Sequence, residues 1–192
     1  MKKSLILLAV VIVLGGWIVS KYNGMVKAQE SIESVWANVE SQYQRRADLI
    51  PNLVKTVKGY ADFEQETLTN VIEARSKATQ TTIDPSNLTP EKLQQFQAAQ
   101  GELSGALSRL LVTVERYPEL KANQNFLELQ AQLEGTENRI NVARDGFNSE
   151  AKGYNTLVKT FPNILIASIF GFDEKPYFKS AEGSDVAPSV EF

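Results

Sequence analysis

An uncharged run near the amino terminus constrains the fold of this chain more than any other feature. The run extends from Ser4 to Ser20, and lysines flank it on both sides. A helix of this length rises roughly 26 Å, slightly less than the hydrocarbon core of a bilayer at about 30 Å, and flanking lysines can extend their ammonium groups to the headgroups. We therefore expect a transmembrane helix over residues 4–20, preceded by a short basic segment at residues 1–3.

A cleaved secretory signal is the alternative interpretation, since signals also combine a basic start with an apolar centre of about 7–15 residues. A signal would need a small-residue cleavage site soon after the run. The first such pattern, Val26 and Ala28, lies well downstream and encloses Lys27, whereas Trp17 suits an interface position at the end of a span. The sequence therefore favours an uncleaved, single-pass anchor in the cell membrane.

The lysines around the run give a slight bias in membrane orientation. Lys2 and Lys3 precede the run, and Lys21 and Lys27 follow it, so the two sides are balanced in number. Because the first pair adjoins the run and little chain precedes it, the positive-inside rule favours a cytoplasmic amino terminus. The main domain is then expected on the extracytoplasmic side.

Composition excludes several functional classes. The chain has no histidine, no cysteine and a formal net charge of -3. It therefore lacks the residues for a histidine-dependent triad, for the usual zinc sites and for disulfides, and its acidic balance is unlike the basic footprint of nucleic-acid-binding domains. We expect no catalytic residue, no cofactor, no metal and no nucleic-acid partner.

Apolar residues recur at alternating spacings of three and four over most of the remaining chain, which predicts helices rather than strands. The first seam begins at Tyr22 and is compatible with one helix as far as Lys77, with Pro51 as the expected kink. Capping and breaking residues mark the other helices. These are a second helix from Thr89 and Pro90 to Tyr117, a third from Phe126 to Tyr154 that Pro162 stops, and a short fourth from Ile164 to Phe170 that Gly171 closes.

Three long helices and a short fourth predict an all-α fold, an antiparallel up-and-down helical bundle with coiled-coil-like seams over residues 21–172. The polar and acidic segment at 173–192 is predicted to be a disordered tail. The first helix would be about twice as long as the second, so part of its apolar seam would project towards the membrane. This juxtamembrane interface, to be covered by the third or fourth helix or by self-association, consists of Ile32, Trp36, Val39 and Tyr43.

Several polar motifs interrupt the apolar seams and carry a family resemblance. They are Arg45-Arg46-x-Asp48-Leu49-Ile50-Pro51-Asn52-Leu53-Val54, Lys58-Gly59-Tyr60-Ala61, Glu115-Arg116-Tyr117-Pro118-x-Leu120-Lys121-Ala122-Asn123, Gly135-Thr136-Glu137-Asn138-Arg139-Ile140, Arg144 and Tyr154-Asn155. In these motifs, their order and their approximate spacing, the chain resembles the LemA family from the anchor to Phe172. The resemblance implies a bacterial protein with an amino-terminal transmembrane helix and a four-helix bundle. It also implies a short amino terminus outside the cell, opposite to the bias of the lysines.

Arg46 lies on the first apolar seam, where a buried guanidinium needs a carboxylate or carbonyl partner. The carboxylates available are Asp48, Glu115, Glu119 and Glu137. One hypothesis is a buried network that fixes helix register, another is a groove that binds a partner segment or small ligand, and a third is catalysis by Asp48 or Glu137 as a lone base. The candidate residues for the network or groove are Arg45, Arg46, Asp48, Asn52, Glu137, Asn138, Arg139 and Arg144.

The sequence thus predicts a membrane-anchored, non-enzymatic helical protein that serves as an interaction or scaffold module of the bacterial cell envelope. Its expected partners are the lipid bilayer and membrane or envelope proteins, with self-association left open. The alternative function is a membrane-anchored ligand sensor or enzyme that uses the polar groove. A pocket lined by the arginine and carboxylate motifs would favour that alternative.

Overall fold

The computed structural model describes residues 2–59 and 64–179 of the chain. Within those ranges the chain forms six α-helices and a 3₁₀ turn at Pro85–Asn87, and it contains no strand. The all-helical prediction is therefore confirmed. The helices are α1 (Lys2–Lys58), α2 (Gln65–Gln80), α3 (Pro90–Val114), α4 (Pro118–Lys121), α5 (Gln124–Lys159) and α6 (Asn163–Phe170).

The amino-terminal end of α1 stands clear of the rest of the structure. Residues 2–20 are all exposed, and α1 is the one described helix that is long and apolar enough to cross a membrane. The helix continues without interruption past Lys21 into the packed region. The predicted anchor and the first helix of the packed region are therefore parts of a single helix.

Helix α1 ends sooner than the sequence predicted. The Gly59 amide donates to the Thr56 carbonyl at 3.3 Å, which closes the last turn, and Glu64 is extended before α2 begins. Residues 60–63, which include Tyr60 of the predicted seam, lie outside the described residues. The prediction of one helix as far as Lys77 is wrong, because glycine disfavours helix by about 1 kcal/mol and the separate α2 buries Leu68 and Val71 against α3.

The long helices pack in two pairs, α1 with α5 and α2 with α3. The Ser31 hydroxyl donates to Glu150 at 3.3 Å, whereas Arg46 binds Glu137 at 2.9 Å. Residue numbers thus rise along α1 while they fall along α5, so the two helices run in opposite directions. The predicted N-cap of α3 is present, since the Thr89 hydroxyl accepts from the Lys92 amide at 3.3 Å.

Two hydrophobic clusters fill the packed region. The first surrounds Trp36, and the second surrounds Leu53 and Leu110. Tyr43 is the last α1 member of the first cluster, and Ile50 is the first α1 member of the second. One polar turn of α1 therefore separates the two clusters, and this turn contains the buried Arg46.

The seam predicted as a juxtamembrane interface is covered within the chain. Its members Ile32, Trp36, Val39 and Tyr43 are all buried. The Trp36 ring lies 5.4 Å from the Phe96 ring of α3, 5.5 Å from the Phe147 ring of α5 and 5.9 Å from the ring of Phe178. These side chains are therefore core residues and offer no surface to a second copy of the chain.

The segment after α6 departs from the predicted disordered tail. Residues 173–179 form an extended strap along α5, and the Phe178 side chain is buried in the first cluster. The prediction of disorder is wrong for these residues, because the strap contributes an apolar ring and its backbone is bonded by side chains of α5. The rest of the predicted tail, residues 180–192, lies outside the described residues.

Candidate functional site

The Arg46 network consists of Arg46, Gln100, Ser104 and Glu137. Only 3 % of the Arg46 side chain is exposed. Its Nη1 donates to Ser104 Oγ at 2.8 Å and to Glu137 Oε2 at 2.9 Å, and its Nη2 donates to Gln100 Oε1 at 2.7 Å and to the Gln100 carbonyl at 3.3 Å. One guanidinium from α1 therefore binds α3 and α5 together.

The two ends of the ion pair differ in their environment. Glu137 is 49 % exposed, in contrast to its buried partner. The aromatic ring of Tyr43 lies 5.2 Å from the guanidinium carbon of Arg46. Burial raises the pKa of the Tyr43 hydroxyl, while the positive charges of Arg144 and Arg46 oppose that rise. The Glu137 carboxylate of the network is thus accessible to water, whereas the Arg46 guanidinium is buried.

An open groove of about 830 Å³ lies over the Arg46 network between α3 and α5. Arg144 also lines the groove. Its Nη2 donates to the Lys179 carbonyl at 2.7 Å, and its guanidinium lies 5.0 Å from the Phe178 ring. Among the predicted candidates, the structure therefore brings Arg46, Glu137 and Arg144 to one groove. The polar side chains that complete its lining are Gln94, Gln97, Gln100, Ser104, Tyr43 and Lys179.

The other candidates lie apart from this groove. Asp48 is exposed and accepts from Gln44 Nε2 at 2.7 Å on the same helix, and Arg45 and Asn52 are also exposed. The remaining two, Asn138 and Arg139, border a separate shallow groove of about 260 Å³ with Asn38 and Gln42. The eight candidates therefore do not form one site.

Gln100 connects a fourth helix, α2, to the network, which the sequence did not predict. While its side-chain oxygen accepts from Arg46, its Nε2 donates to the Ala78 carbonyl of α2 at 3.2 Å. Gln100 lies on the apolar seam of α3, and a glutamine at such a position signals a need for partners. That signal was present in the sequence, although the identity of the partners was not.

Two asparagines of α5 hold the strap, and sequence reasoning also missed this arrangement. Asn155 exchanges two hydrogen bonds of 2.8 Å with the backbone of Lys175. Asn148 does the same with the backbone of Phe178, at 3.0 and 2.8 Å. The asparagines are about two helical turns apart and so share one face of α5. We call these two pairs the asparagine clamps.

Lys175 fixes the strap to a further element. Its ammonium donates to the Ser86 carbonyl in the 3₁₀ turn at 3.1 Å. Burial lowers the pKa of Lys175, and the nearby carboxylates of Glu33, Asp173 and Asp84 oppose this effect. The strap is therefore bonded to both α5 and the connection before α3.

Most polar side chains of the site already have partners within the chain. Arg46 already has carboxylate, amide and hydroxyl partners, and Arg144 is bonded to the strap. Within residues 2–59 and 64–179, no three acidic side chains are grouped as a metal site would require. What the groove offers a ligand is the exposed side of Glu137, the exposed Lys179 side chain and a rim of glutamine amides.

Comparison with known proteins places these features in a family context. The model of the LemA family matches residues 35–192, a range that contains the Arg46 network and both asparagine clamps. Magnetosome protein MamQ of Magnetospirillum gryphiswaldense is 26% identical over 182 residues, covering 86% of this chain and 67% of that protein. Protein LemA of Metamycoplasma hominis is 24% identical over 165 residues, covering 85% of this chain and 71% of that protein.

Proposed function

This chain belongs to the LemA family, and from that premise we propose that it is a membrane-anchored, non-enzymatic interaction module of the bacterial cell envelope. The observation that carries the proposal is the continuity of α1 from its exposed apolar end to the Arg46 network. A helix without a break connects the anchor directly to the packed region, with no loop between them. Such a link suits a protein that presents a binding surface at a fixed distance from the bilayer.

The use of the polar side chains supports a scaffold role. The Arg46 network joins α1, α2, α3 and α5, and the clamps join α5 to the strap. Side chains with that many fixed partners stabilise one arrangement of helices and are poorly placed to exchange protons with a substrate. The groove between α3 and α5 remains as the surface available to a partner.

We further propose that α1, α2, α3 and α5 form an antiparallel up-and-down bundle. The opposite directions of α1 and α5 support this topology, as does the short connection from α2 to α3, two helices that pack together. The coiled-coil-like seams of α1, α3 and α5 would supply its core.

Site-specific photo-crosslinking in native membranes tests the interaction role. A photoreactive residue at Gln94, on the rim of the groove, is expected to give adducts with a small, reproducible set of membrane or envelope proteins. The matched control is Val112, which is 71% exposed on the same helix and does not line the groove. Equal adducts at both positions, or adducts at neither, would contradict a partner surface in the groove.

A ligand sensor is the second candidate function, and the half-exposed Glu137 favours it. A groove of about 830 Å³ lies within the range of about 300–1,000 Å³ typical of small-molecule sites. A small molecule from the same cell that raises the melting temperature of the wild type, but not that of Arg144→Gln, would support this function over the scaffold role.

A further inference from the structure

Helix α6 is apolar on both of its faces. Apart from Asn163 and Ser168, all of its residues are hydrophobic. Ile166 and Ala167 are buried against the first cluster, whereas Leu165 is 57% exposed and Ile169 is 76% exposed. A spacing of four places Leu165 and Ile169 on the same side of the helix. The fold therefore leaves one apolar face of α6 uncovered.

The connection into α6 extends this exposed surface. Phe161 lies in the turn two residues before α6 begins and is 81% exposed, the highest value among the large hydrophobic side chains of the described residues. We call Phe161, Leu165 and Ile169 the α6 apolar face. Such a surface beside a soluble domain marks an interaction site or a membrane contact.

The carboxyl end of α6 lies beside the point where α1 leaves the predicted membrane span. The Tyr22 ring, one residue after Lys21, lies 5.0 Å from the Phe170 ring and 5.5 Å from the Phe172 ring. The opposite directions of α1 and α5 support the same position for α6. Arg46 contacts Glu137 and Ser31 contacts Glu150, so later residues of α5 lie beside residues of α1 that are closer to the anchor. The last residues of α5 therefore lie beside the first residues after the span.

We propose that α6 is a second membrane contact, which lies in the bilayer interface with Phe161, Leu165 and Ile169 inserted between lipid headgroups. The occupant is the bilayer and not a protein, because α6 touches α1 where the span ends and lipid surrounds a single-pass helix there. Helices that lie in the interface bury their exposed apolar side chains about 5–10 Å into the boundary between headgroups and acyl chains. The proposal goes beyond the scaffold function, since two contacts fix the tilt of the domain.

Residues next to the face also suit the interface. Tyr22 and Trp17 have amphipathic rings of the kind enriched at membrane surfaces, and the Lys21 ammonium lies 6.0 Å from the Trp17 ring centroid. Aromatic and basic groups thus accompany the end of the span, where headgroups are expected.

Depth-dependent quenching in the full-length chain tests the proposal. Because the chain has no cysteine, Ile169→Cys introduces a unique attachment site for an environment-sensitive fluorophore. The matched control is Val112→Cys, on an exposed position of α3 beside the second cluster, the one farther from the anchor. Each labelled protein is reconstituted at one copy per nanodisc of zwitterionic and anionic phospholipids, with or without lipids that carry a nitroxide near the headgroup.

The Ile169 label is expected to emit at shorter wavelength and to be quenched several-fold more strongly than the Val112 label. Equal quenching at the two positions would overturn the proposal. The emission of the Ile169 label could also shift to shorter wavelength only when several copies share a membrane, and not at one copy per nanodisc. That result would overturn the proposal in favour of self-association. Leu165→Cys provides a second site on the same face, and circular dichroism of each labelled protein shows whether the helical fold is retained.

Discussion

At the scale of single residues, Arg46 is the side chain whose identity most needs an explanation. A buried ion pair is often no more stabilising than apolar side chains of similar volume. Arg46 lies between two apolar clusters, so a leucine there could join them into one. The hydrogen bonds from its guanidinium to Gln100, Ser104 and Glu137 instead form in only one register of α1, α3 and α5. We infer that Arg46 selects this register among similar packings.

Glu137→Gln tests the energetic part of this account. The substitution keeps an acceptor for Arg46 but removes the charge, so the buried guanidinium loses its counterion. Because Glu137 is half exposed, we expect the free energy of unfolding to fall by about 1–2 kcal/mol, at the low end for charge-assisted hydrogen bonds. Urea unfolding of the detergent-solubilised chain, followed by circular dichroism, measures this change.

The matched control is Asp145→Asn, an exposed carboxylate on the same helix. It is expected to change the free energy of unfolding by less than about 0.5 kcal/mol. If Glu137→Gln were as stable as this control, Glu137 would not stabilise the fold, and its charge would be left for a ligand in the groove.

At the scale of helices and segments, α1 remains helical across Pro51 with help from α2. Proline has no amide hydrogen, so the carbonyl one turn earlier, that of Ala47, loses its helical partner. The Arg75 Nε of α2 donates to this carbonyl at 2.7 Å. The side chain of a neighbouring helix therefore replaces the missing bond, and α1 extends to Lys58.

A double-mutant cycle between Arg75 and Pro51 tests this replacement. Arg75→Met keeps an apolar stem but removes the donor, and it is expected to cost about 1–3 kcal/mol of stability because the Ala47 carbonyl is left unpaired. In the Pro51→Ala background the amide at position 51 restores the bond, so the same substitution should cost less than about 1 kcal/mol. A cycle with no coupling between the two positions would contradict the account.

The asparagine clamps make a separate prediction about the strap. Asn155→Ala removes both bonds to the Lys175 backbone, each worth about 1 kcal/mol, and Lys175 is buried in the intact fold. The Lys175 amide, which loses its acceptor, is therefore expected to exchange its hydrogen roughly tenfold faster or more, as hydrogen–deuterium exchange followed by mass spectrometry would show.

Asn141→Ala is the matched control, because Asn141 lies about two turns before Asn148 on α5 and is exposed. Its rate of hydrogen exchange at Lys175 is expected to equal that of the wild type. Asn148→Ala provides an independent variant, in which detachment of Phe178 from Trp36 should shift the tryptophan emission to longer wavelength. A strap that stays protected in both variants would show that its rings alone hold it.

At the scale of the whole molecule, apolar spacing predicted which residues enter the core, while tertiary contacts decided how the elements meet. The three-and-four pattern placed Trp36, Leu103 and Ile140 inside, and all three are buried. The same pattern could not locate the end of α1 near Gly59, because α2 retains the helical period and its packing on α3 is a distant effect. The strap was missed for a similar reason, since asparagines that bond a distant backbone leave no periodic signal.

The candidate site was predicted in part, again for physical reasons. A charged residue on an apolar seam must find partners, which is why Arg46 was expected to bind a carboxylate or carbonyl group. The sequence left four carboxylates as candidates, and the structure selects Glu137. Motif neighbours such as Asn138 and Arg139 point elsewhere on α5, since adjacent residues of a helix do not share a face. Residues that are neighbours in a sequence motif therefore need not belong to the same site.

The orientation of the whole molecule is the last prediction, because the packed domain and the amino terminus must lie on opposite sides of the membrane if α1 spans it. The bias of the lysines places the amino terminus in the cytoplasm, so Val142→Cys, 71% exposed on α5, is expected to react with a membrane-impermeant maleimide in intact spheroplasts. Lys2→Cys should react only after permeabilisation, which also verifies that both thiols are accessible. The reverse pattern would place the short amino terminus outside, as the family resemblance implies, and the groove over the Arg46 network would then face cytoplasmic partners.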